Sequence, residues 1–235
     1  MSVRSRVLLL GGAIAGPLFT LAWILGGSAR TDYSPLRHPV SSLALGELGW
    51  IQSTTFVVTG LLLMGFAFGL RRVLPRATSK WGPIFIGAMG LGLLGAGLFV
   101  TDPMNGYPPG TPALPLTFSL EGRLHRLFSA LFFLGLPLAC LNFSRVFARW
   151  DNRIWTVYSA CTGAAFLATF LLGSAGFAQA GGLASLAGSF QRLALTIGWT
   201  WLTLLAIHVV RRDRDRRRPG RGLTNPSGQG TNIPA

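Results

Sequence analysis

The chain has 235 residues, of which 50% are hydrophobic and only 12% are charged, a composition that excludes a sizeable soluble domain beside the apolar segments. A net charge of +14 is compatible with nucleic-acid binding, but the basic residues stand at the ends of apolar stretches, where they orient helices and attract anionic head groups. No basic folded module remains for nucleic acid, so we predict membrane lipids, and no nucleic acid, as partners.

Six apolar stretches are predicted to be transmembrane helices. Each is about 18 to 22 residues long, which is enough to cross a hydrocarbon core of ~30 Å at ~1.5 Å per residue. Near-continuous apolar runs without period-two alternation favour helices over barrel strands. We therefore predict an all-α polytopic bundle over residues 1–210, with helices at 7–27, 50–70, 83–101, 124–144, 154–175 and 193–210, followed by a basic, disordered tail at 211–235.

The first apolar stretch also has features of a signal peptide. Arg4 and Arg6 precede it, and small residues at 27–29 follow it. The stretch is longer than the ~7–15 residues of a usual signal core. We therefore expect an uncleaved first helix.

The charges between the stretches alternate along the chain. The second connection carries Arg71, Arg72, Arg76 and Lys80 without an acid, and the N-terminus, the fourth connection and the tail are also net positive. The first, third and fifth connections are near neutral. By the positive-inside rule both termini are predicted to be cytoplasmic, in the inner or plasma membrane of a prokaryote.

Polar residues suited to a site gather in the near-neutral connections, which this topology places outside. Ionisable groups at membrane depth are costly and usually functional. Because these residues share a predicted depth, we expect them to converge on one outward-facing site. The candidates are His38, Glu47, Gln52, Asp102, His125 and Arg192.

Several short motifs give a family resemblance. They are His38-Pro39-x-Ser41-x-Leu43 followed by Gly49-Trp50-x-Gln52, Phe99-x-Thr101-Asp102-Pro103, Gly122-x-Leu124-His125, and Gln191-Arg192. With these motifs, residues 7–210 resemble the bacterial and archaeal membrane proteins grouped as domain of unknown function 998. A weaker similarity connects the layout to the superfamily of DRAM, Frag and Sfk six-helix proteins. The first resemblance implies a fold without an assigned activity.

The pairing of Asp102 with His125 has more than one interpretation. A carboxylate beside an imidazole relays a proton, orients a base, or binds a metal with a further ligand such as His38 or Glu121. The simpler interpretation is a hydrogen bond that pins two helix ends together. Arg192 similarly either snorkels to head groups or points inward to hold an anion.

Cofactor sites find little support in the sequence. His125 and His208 are predicted near opposite ends of the bundle, so they cannot share one haem. Cys140 and Cys161 have no metal-ligand spacing and are expected to pack within helices four and five. We predict no cofactor and no metal.

Three classes of function follow from these features. The first is binding or moving a small molecule or lipid at an outward-facing polar vestibule. The second is a membrane enzyme that acts on a lipid or envelope substrate, although no complete catalytic constellation is visible. The third is a structural or regulatory subunit of a membrane complex, with glycine-rich helix faces as interaction surfaces.

The orientation is directly testable. Reporter fusions in the second connection should be active only in the cytoplasm, because its basic residues resist translocation, whereas fusions in the third connection should be active only outside. Fusions after residue 210 provide a second cytoplasmic control. An external second connection would contradict the predicted topology.

Overall fold

The computed structural model describes residues 2–75 and 80–216, and within these ranges the chain forms helices and no strand. Two short 3-10 helices, Val40–Ala44 and Leu183–Leu186, lie in connections. The six long helices are α1 Val3–Ser28, α2 Gly49–Val73, α3 Trp81–Leu98, α4 Leu120–Ala148, α5 Arg153–Phe177 and α6 Ala187–Arg216.

All six long helices are long and apolar enough to cross a membrane, which confirms the predicted all-α fold class and makes this a multi-pass membrane protein. Most of them extend past their apolar cores. Ser119, for example, starts α4 ahead of the predicted residue 124, and its Oγ accepts a hydrogen bond from the Gly122 N–H at 2.9 Å. Helix ends capped by polar side chains continue into the head-group region, beyond what hydropathy alone marks.

Two boundaries differ in ways that affect the site. We predicted that α3 ends at Thr101, but it ends at Leu98, which places Asp102 in an extended segment beyond the helix. The sixth helix was predicted to start at residue 193 but starts at Ala187, so Gln191 and Arg192 lie inside it rather than at its opening. The predicted disordered tail lies mostly outside the described residues, although α6 continues to Arg216.

The helices form a closed ring in chain order. Each helix packs against the next one along the chain, and α6 closes the ring against α1. We call the side with residues 29–48, 99–119 and 178–186 the cap side, and the side with the N-terminus, residue 80 and residues 149–152 the basic side. Arg76, which we counted in the second connection, lies outside the described residues.

Aromatic side chains fill the centre of the ring. Phe19 of α1 packs against Phe56 of α2 with ring centroids 5.5 Å apart, and against Trp199 of α6 at 5.3 Å. Phe132 of α4 contacts the same Trp199 at 5.4 Å. Tilted aromatic pairs at these distances stabilise a core. The cluster joins four helices and closes the middle of the bundle.

Glycines allow neighbouring helices to approach closely. A Cβ at Gly92 would lie 2.5 Å from the Phe128 carbonyl oxygen and 2.9 Å from the Phe132 nitrogen, so the backbone of α4 occupies that space. By contrast, a Cβ at Gly87 would meet Ala67 at an ordinary 3.6 Å. Such small-residue contacts replace the hydrophobic effect, which does not drive helix association inside lipid.

We expect Gly92→Ala to lower the thermal stability of the purified protein in detergent by the equivalent of ~1–3 kcal/mol, because the added methyl overpacks the α3–α4 contact. Gly87→Ala is the matched control in the same helix. It should be neutral or should stabilise by up to ~1 kcal/mol through helix propensity. Equal melting temperatures for the two variants would contradict the close approach.

Candidate ligand site on the cap side

A cavity of about 410 Å³ lies in the cap-side half of the ring. Its inner end is formed by Phe19, Phe56 and Phe132, the aromatic residues that close the centre of the bundle. Its cap-side wall comes from residues 39–41 and from parts of residues 101–118. The size falls within the ~300–1,000 Å³ of typical ligand sites. We predicted a polar vestibule, but most of the residues that line this cavity are apolar, with a few polar groups among them.

His125 is one of those polar groups. Its side chain lines the cavity and is only 4% exposed. Its Nδ1 lies 2.8 Å from the Phe99 carbonyl oxygen and 3.1 Å from that of Ala96. Since carbonyls only accept hydrogen bonds, Nδ1 must carry the proton. His125 therefore ties down the end of α3 through Nδ1, and in its neutral form it keeps Nε2 as a hydrogen-bond acceptor.

Asp102 lies beside His125 and also lines the cavity. Its Oδ2 accepts a hydrogen bond from the Ser119 N–H at 3.2 Å, at the start of α4. A Cβ at Gly122 would overlap this carboxylate, so the glycine makes room for it. A negative charge here also complements the positive end of the α4 dipole. Asp102 and His125 thus hold the end of α3 to the start of α4 through backbone groups, without the hydrogen bond to each other that the simpler interpretation assumed, and both border the cavity.

Arg192 points inward instead of snorkelling. It is 8% exposed, and its Nη1 donates to the carbonyl oxygens of His38 at 2.9 Å and Gly188 at 3.0 Å. Its Nη2 donates to the Tyr33 hydroxyl, and the guanidinium lies 5.2 Å from the Trp23 ring centroid. Among the described residues, no carboxylate lies within ion-pair distance of it. Arg192 therefore anchors the first cap segment next to the cavity and is not among the residues that line it.

Tyr33 and His38 are both uncharged partners in this anchor. Burial raises the pKa of Tyr33 to about 12, despite the opposing charge of Arg192. Burial lowers the pKa of His38, and the nearby charges of Arg37 and Arg192 lower it further. The neutral His38 accepts a hydrogen bond at Nδ1 from the Ser34 N–H at 3.0 Å. Acidification through the unfolded histidine pKa of ~6.5 would therefore weaken this segment.

Asn105 connects the three cap segments. It is fully buried, its Nδ2 donates to the Arg37 carbonyl oxygen at 3.1 Å, and its Oδ1 accepts from Gln179 Nε2 at 2.7 Å. Gln191 Oε1 adds a further link by accepting from the Val40 N–H at 2.8 Å. Our sequence analysis missed Asn105. The Asn-Gly pair at 105–106, a common turn signal, was the available clue.

The remaining candidates lie apart from the cavity lining. Glu47 is exposed in the connection before α2. Gln52 is buried in the first turns of α2, and its Nε2 has no hydrogen-bond partner. The structure thus brings Asp102 and His125 to one cavity, holds His38 and Arg192 in an adjacent anchor, and leaves Glu47 outside. That all six serve one site stays a prediction.

Arg126 also borders the cavity, although it was not among our candidates. Its guanidinium lies 4.2 Å from the ring centroid of Phe118, a second cavity residue. In the sequence, its charge is one of those that make the third connection near neutral. Arg126 directly follows the candidate His125 in the sequence, and that adjacency was the available clue.

Comparison with known proteins gives one match. A family model described as "Protein of unknown function (DUF998)" matches residues 13–208. The match confirms the first resemblance seen in the sequence, while the weaker similarity to DRAM, Frag and Sfk proteins stays a prediction. Comparisons with curated proteins and with solved structures find no match.

We expect Tyr33→Phe to destabilise the cap by ~1–3 kcal/mol, because it removes the oxygen that accepts from Arg192 and leaves a buried donor unpaired. Hydrogen exchange should accelerate in residues 33–42. Tyr107→Phe is the control, since it keeps the ring that packs 5.3 Å from Tyr33 and 5.1 Å from His38. If Tyr33→Phe exchanges like the wild type, the Tyr33 hydroxyl does not help to hold this segment.

Proposed function

We propose, for a chain that belongs to the DUF998 family of proteins of unknown function, that it binds an amphiphilic molecule in the cap-side cavity. The apolar body of the ligand lies against Phe19, Phe56 and Phe132. Its polar group lies at the edge formed by His125 and Asp102. The observation that carries the proposal is an apolar cavity of about 410 Å³ bordered by a histidine whose Nδ1 is already committed to backbone carbonyls.

The state of His125 defines the polar group that fits. Because Nδ1 donates to Phe99 and Ala96, the neutral ring offers an acceptor at Nε2. Asp102 is also an acceptor. A hydroxyl group on the ligand supplies the matching donor. Few convergent polar groups in a mainly apolar cavity are typical of ligand sites, where the apolar area gives affinity and the polar groups fix orientation.

Placement in the membrane supports an amphiphile over a water-soluble solute. The cavity lies between the cap-side halves of spanning helices, at a depth shared with lipid chains. A fully polar ligand would lose its hydration there without enough hydrogen-bond partners to replace it. A hydrocarbon chain loses nothing on moving from lipid into this cavity, so the polar contacts at the edge provide the selectivity.

An enzymatic reaction is the second candidate, and one observation favours it. The carbonyls of Ala96 and Phe99 fix the tautomer and orientation of His125, as the partner of a general base does. The hydroxyl that binds at Nε2 would then be the group that reacts. A lipid or envelope substrate with such a hydroxyl fits both candidates, and chemical change of the bound molecule separates them.

The test uses a long-chain fatty alcohol that carries a mid-chain diazirine and a terminal alkyne, with the protein in phosphatidylcholine nanodiscs. Photolabelled residues should cluster at Phe132, Phe133 and the rest of the cavity. His125→Asn keeps a donor near the Nδ1 position but removes the Nε2 acceptor. In this variant, unlabelled alcohol should compete with the probe about 2–10-fold more weakly than in the wild type, which is the range for the loss of one neutral hydrogen bond.

His125→Gln is the matched control, because it places an amide near Nε2 and loses the Nδ1 donor. It should bind nearly as well as wild type but melt at a lower temperature. Labels scattered over lipid-facing residues, or equal binding by both variants, would sink the proposal. Recovery of a chemically altered alcohol from wild type and not from His125→Asn would favour the enzyme.

A further inference from the structure

Two neighbouring helices, α4 and α5, line one side of the cavity. Near the middle of the bundle they touch, because the Phe133 ring stacks on the Phe170 ring with centroids 4.5 Å apart. On the basic side they touch: Ser144 Oγ donates to the Thr156 carbonyl oxygen at 2.9 Å, and a Cβ at Gly163 would lie 3.0 Å from that of Cys140. On the cap side, both helices instead contribute half-buried residues to the cavity. These are Ser129, Ala130 and Phe133 of α4, and Phe170, Ser174 and Phe177 of α5.

The cap-side end of α5 packs toward its other neighbour. A Cβ at Gly173 would lie 3.2 Å from the Gln191 nitrogen, and one at Gly176 would lie 2.7 Å from the Leu183 carbonyl oxygen. Beyond the contact of Phe133 with Phe170, the cap-side end of α5 therefore lies tightly against α6 and its preceding turn. Because α4 and α5 are neighbours in the ring, the space between them faces the surrounding lipid.

The arginines of α4 give the depth of this opening. Arg126 and Arg145 are nineteen residues apart within α4, which corresponds to ~29 Å of helix rise and matches the ~30 Å hydrocarbon thickness. They therefore mark the two head-group levels. From Arg126 the α4 cavity residues descend to Phe133, ~10 Å deeper, at the level of lipid chains.

The cap segment beside the opening is also suited to lipid. Leu116 is 98% exposed and Leu120 is 69% exposed, close to the cavity residues Pro115 and Phe118. Exposed leucines at a membrane surface are favourable where they meet acyl chains. Arg126, packed over Phe118, places a guanidinium at the same edge. The opening thus has an apolar rim with a cation at head-group level.

From this arrangement we infer that the cavity opens sideways into the bilayer between the cap-side halves of α4 and α5 and takes one chain of an anionic glycerophospholipid with a free head-group hydroxyl. The phosphate lies at Arg126. The hydroxyl donates to Nε2 of the adjacent His125. The inference rests on the proposed ligand site and narrows its occupant to a lipid that enters from the membrane.

Liposomes of phosphatidylcholine that contain a trace of phosphatidylglycerol with a mid-chain diazirine and an alkyne provide the test. Adducts are expected on the cavity faces of α4 and α5. Unlabelled phosphatidylglycerol, which has both phosphate and hydroxyl, should compete about tenfold better than added phosphatidylcholine, which lacks the hydroxyl.

Arg126→Gln should reduce phosphatidylglycerol labelling about tenfold, a larger loss than any loss of fatty-alcohol labelling, because only the phospholipid carries a phosphate. Arg123→Gln is the matched control. Arg123 lies one turn earlier on the same helix, is exposed, and donates a hydrogen bond from Nε to the Phe118 carbonyl oxygen. It should label like wild type. Equal labelling of the two variants would overturn the phosphate site.

Ser174→Trp fills the gap between α4 and α5 and should reduce labelling of the cavity about tenfold. Leu171→Trp, at a position 56% exposed on the same helix, is the control and should have no effect. Ser129→Trp, which fills the gap from α4, replaces Ser174→Trp if that variant does not fold. Unchanged labelling in the gap-filling variant would overturn lateral entry.

The outcomes also separate the two proposals. If the fatty alcohol labels the cavity and phosphatidylglycerol does not, the ligand site stands and the phospholipid inference fails. If neither probe labels the cavity, both fail.

Discussion

A polar group that enters the bundle is costly unless it finds a partner inside the protein, because the surrounding lipid offers none. On the cap side, side chains meet this requirement for the ends of the helices. His125 satisfies the carbonyls of Ala96 and Phe99 where α3 stops, and Asp102 satisfies the Ser119 N–H where α4 starts. Arg192 meets the same need for the first cap segment through the His38 carbonyl oxygen. The cap is held in place by these contacts, and the cavity exists because the cap is held.

This constraint explains why a residue that holds the cap in place can also present an atom that binds a ligand. A histidine that donates through Nδ1 has a fixed ring, and a fixed ring presents Nε2 in one direction. The pin between α3 and α4 therefore does not compete with ligand binding; it prepares the acceptor that binding needs. Arg192 differs, since Nη1 and Nη2 donate to the carbonyl oxygens of His38 and Gly188 and to the Tyr33 hydroxyl, while its buried Nε has no partner among the described residues. It therefore serves the site by holding the first cap segment to α6.

The sequence was sufficient for the fold because bilayer thickness sets the length of each apolar run. It also indicated that Asp102 and His125 lie near the same level, because both stand at the same end of consecutive helices, and both line the cavity. It was insufficient for Glu47, which shares their level but lies exposed. Membrane depth is one coordinate, and position around the ring is another that hydropathy does not encode. Tyr33, Asn105 and Gln179 were missed for a related reason: neutral polar residues in loops carry no charge signal, yet they make the hydrogen bonds that join the cap.

A ring assembled in chain order also has a consequence for access. Each gap between consecutive helices is closed by a connection at one end only, and α4 and α5 are joined on the basic side by residues 149–152. Their cap-side ends are free to separate, and the glycines at 173 and 176 draw α5 toward α6. The α3–α4 pair is joined on the cap side by the long connection 99–119 and is held together there by His125 and Asp102. The described contacts of the α4–α5 pair include the stack of Phe133 on Phe170 nearer the centre, but no equivalent polar pin at the cap-side end, which is why we place the opening at that end.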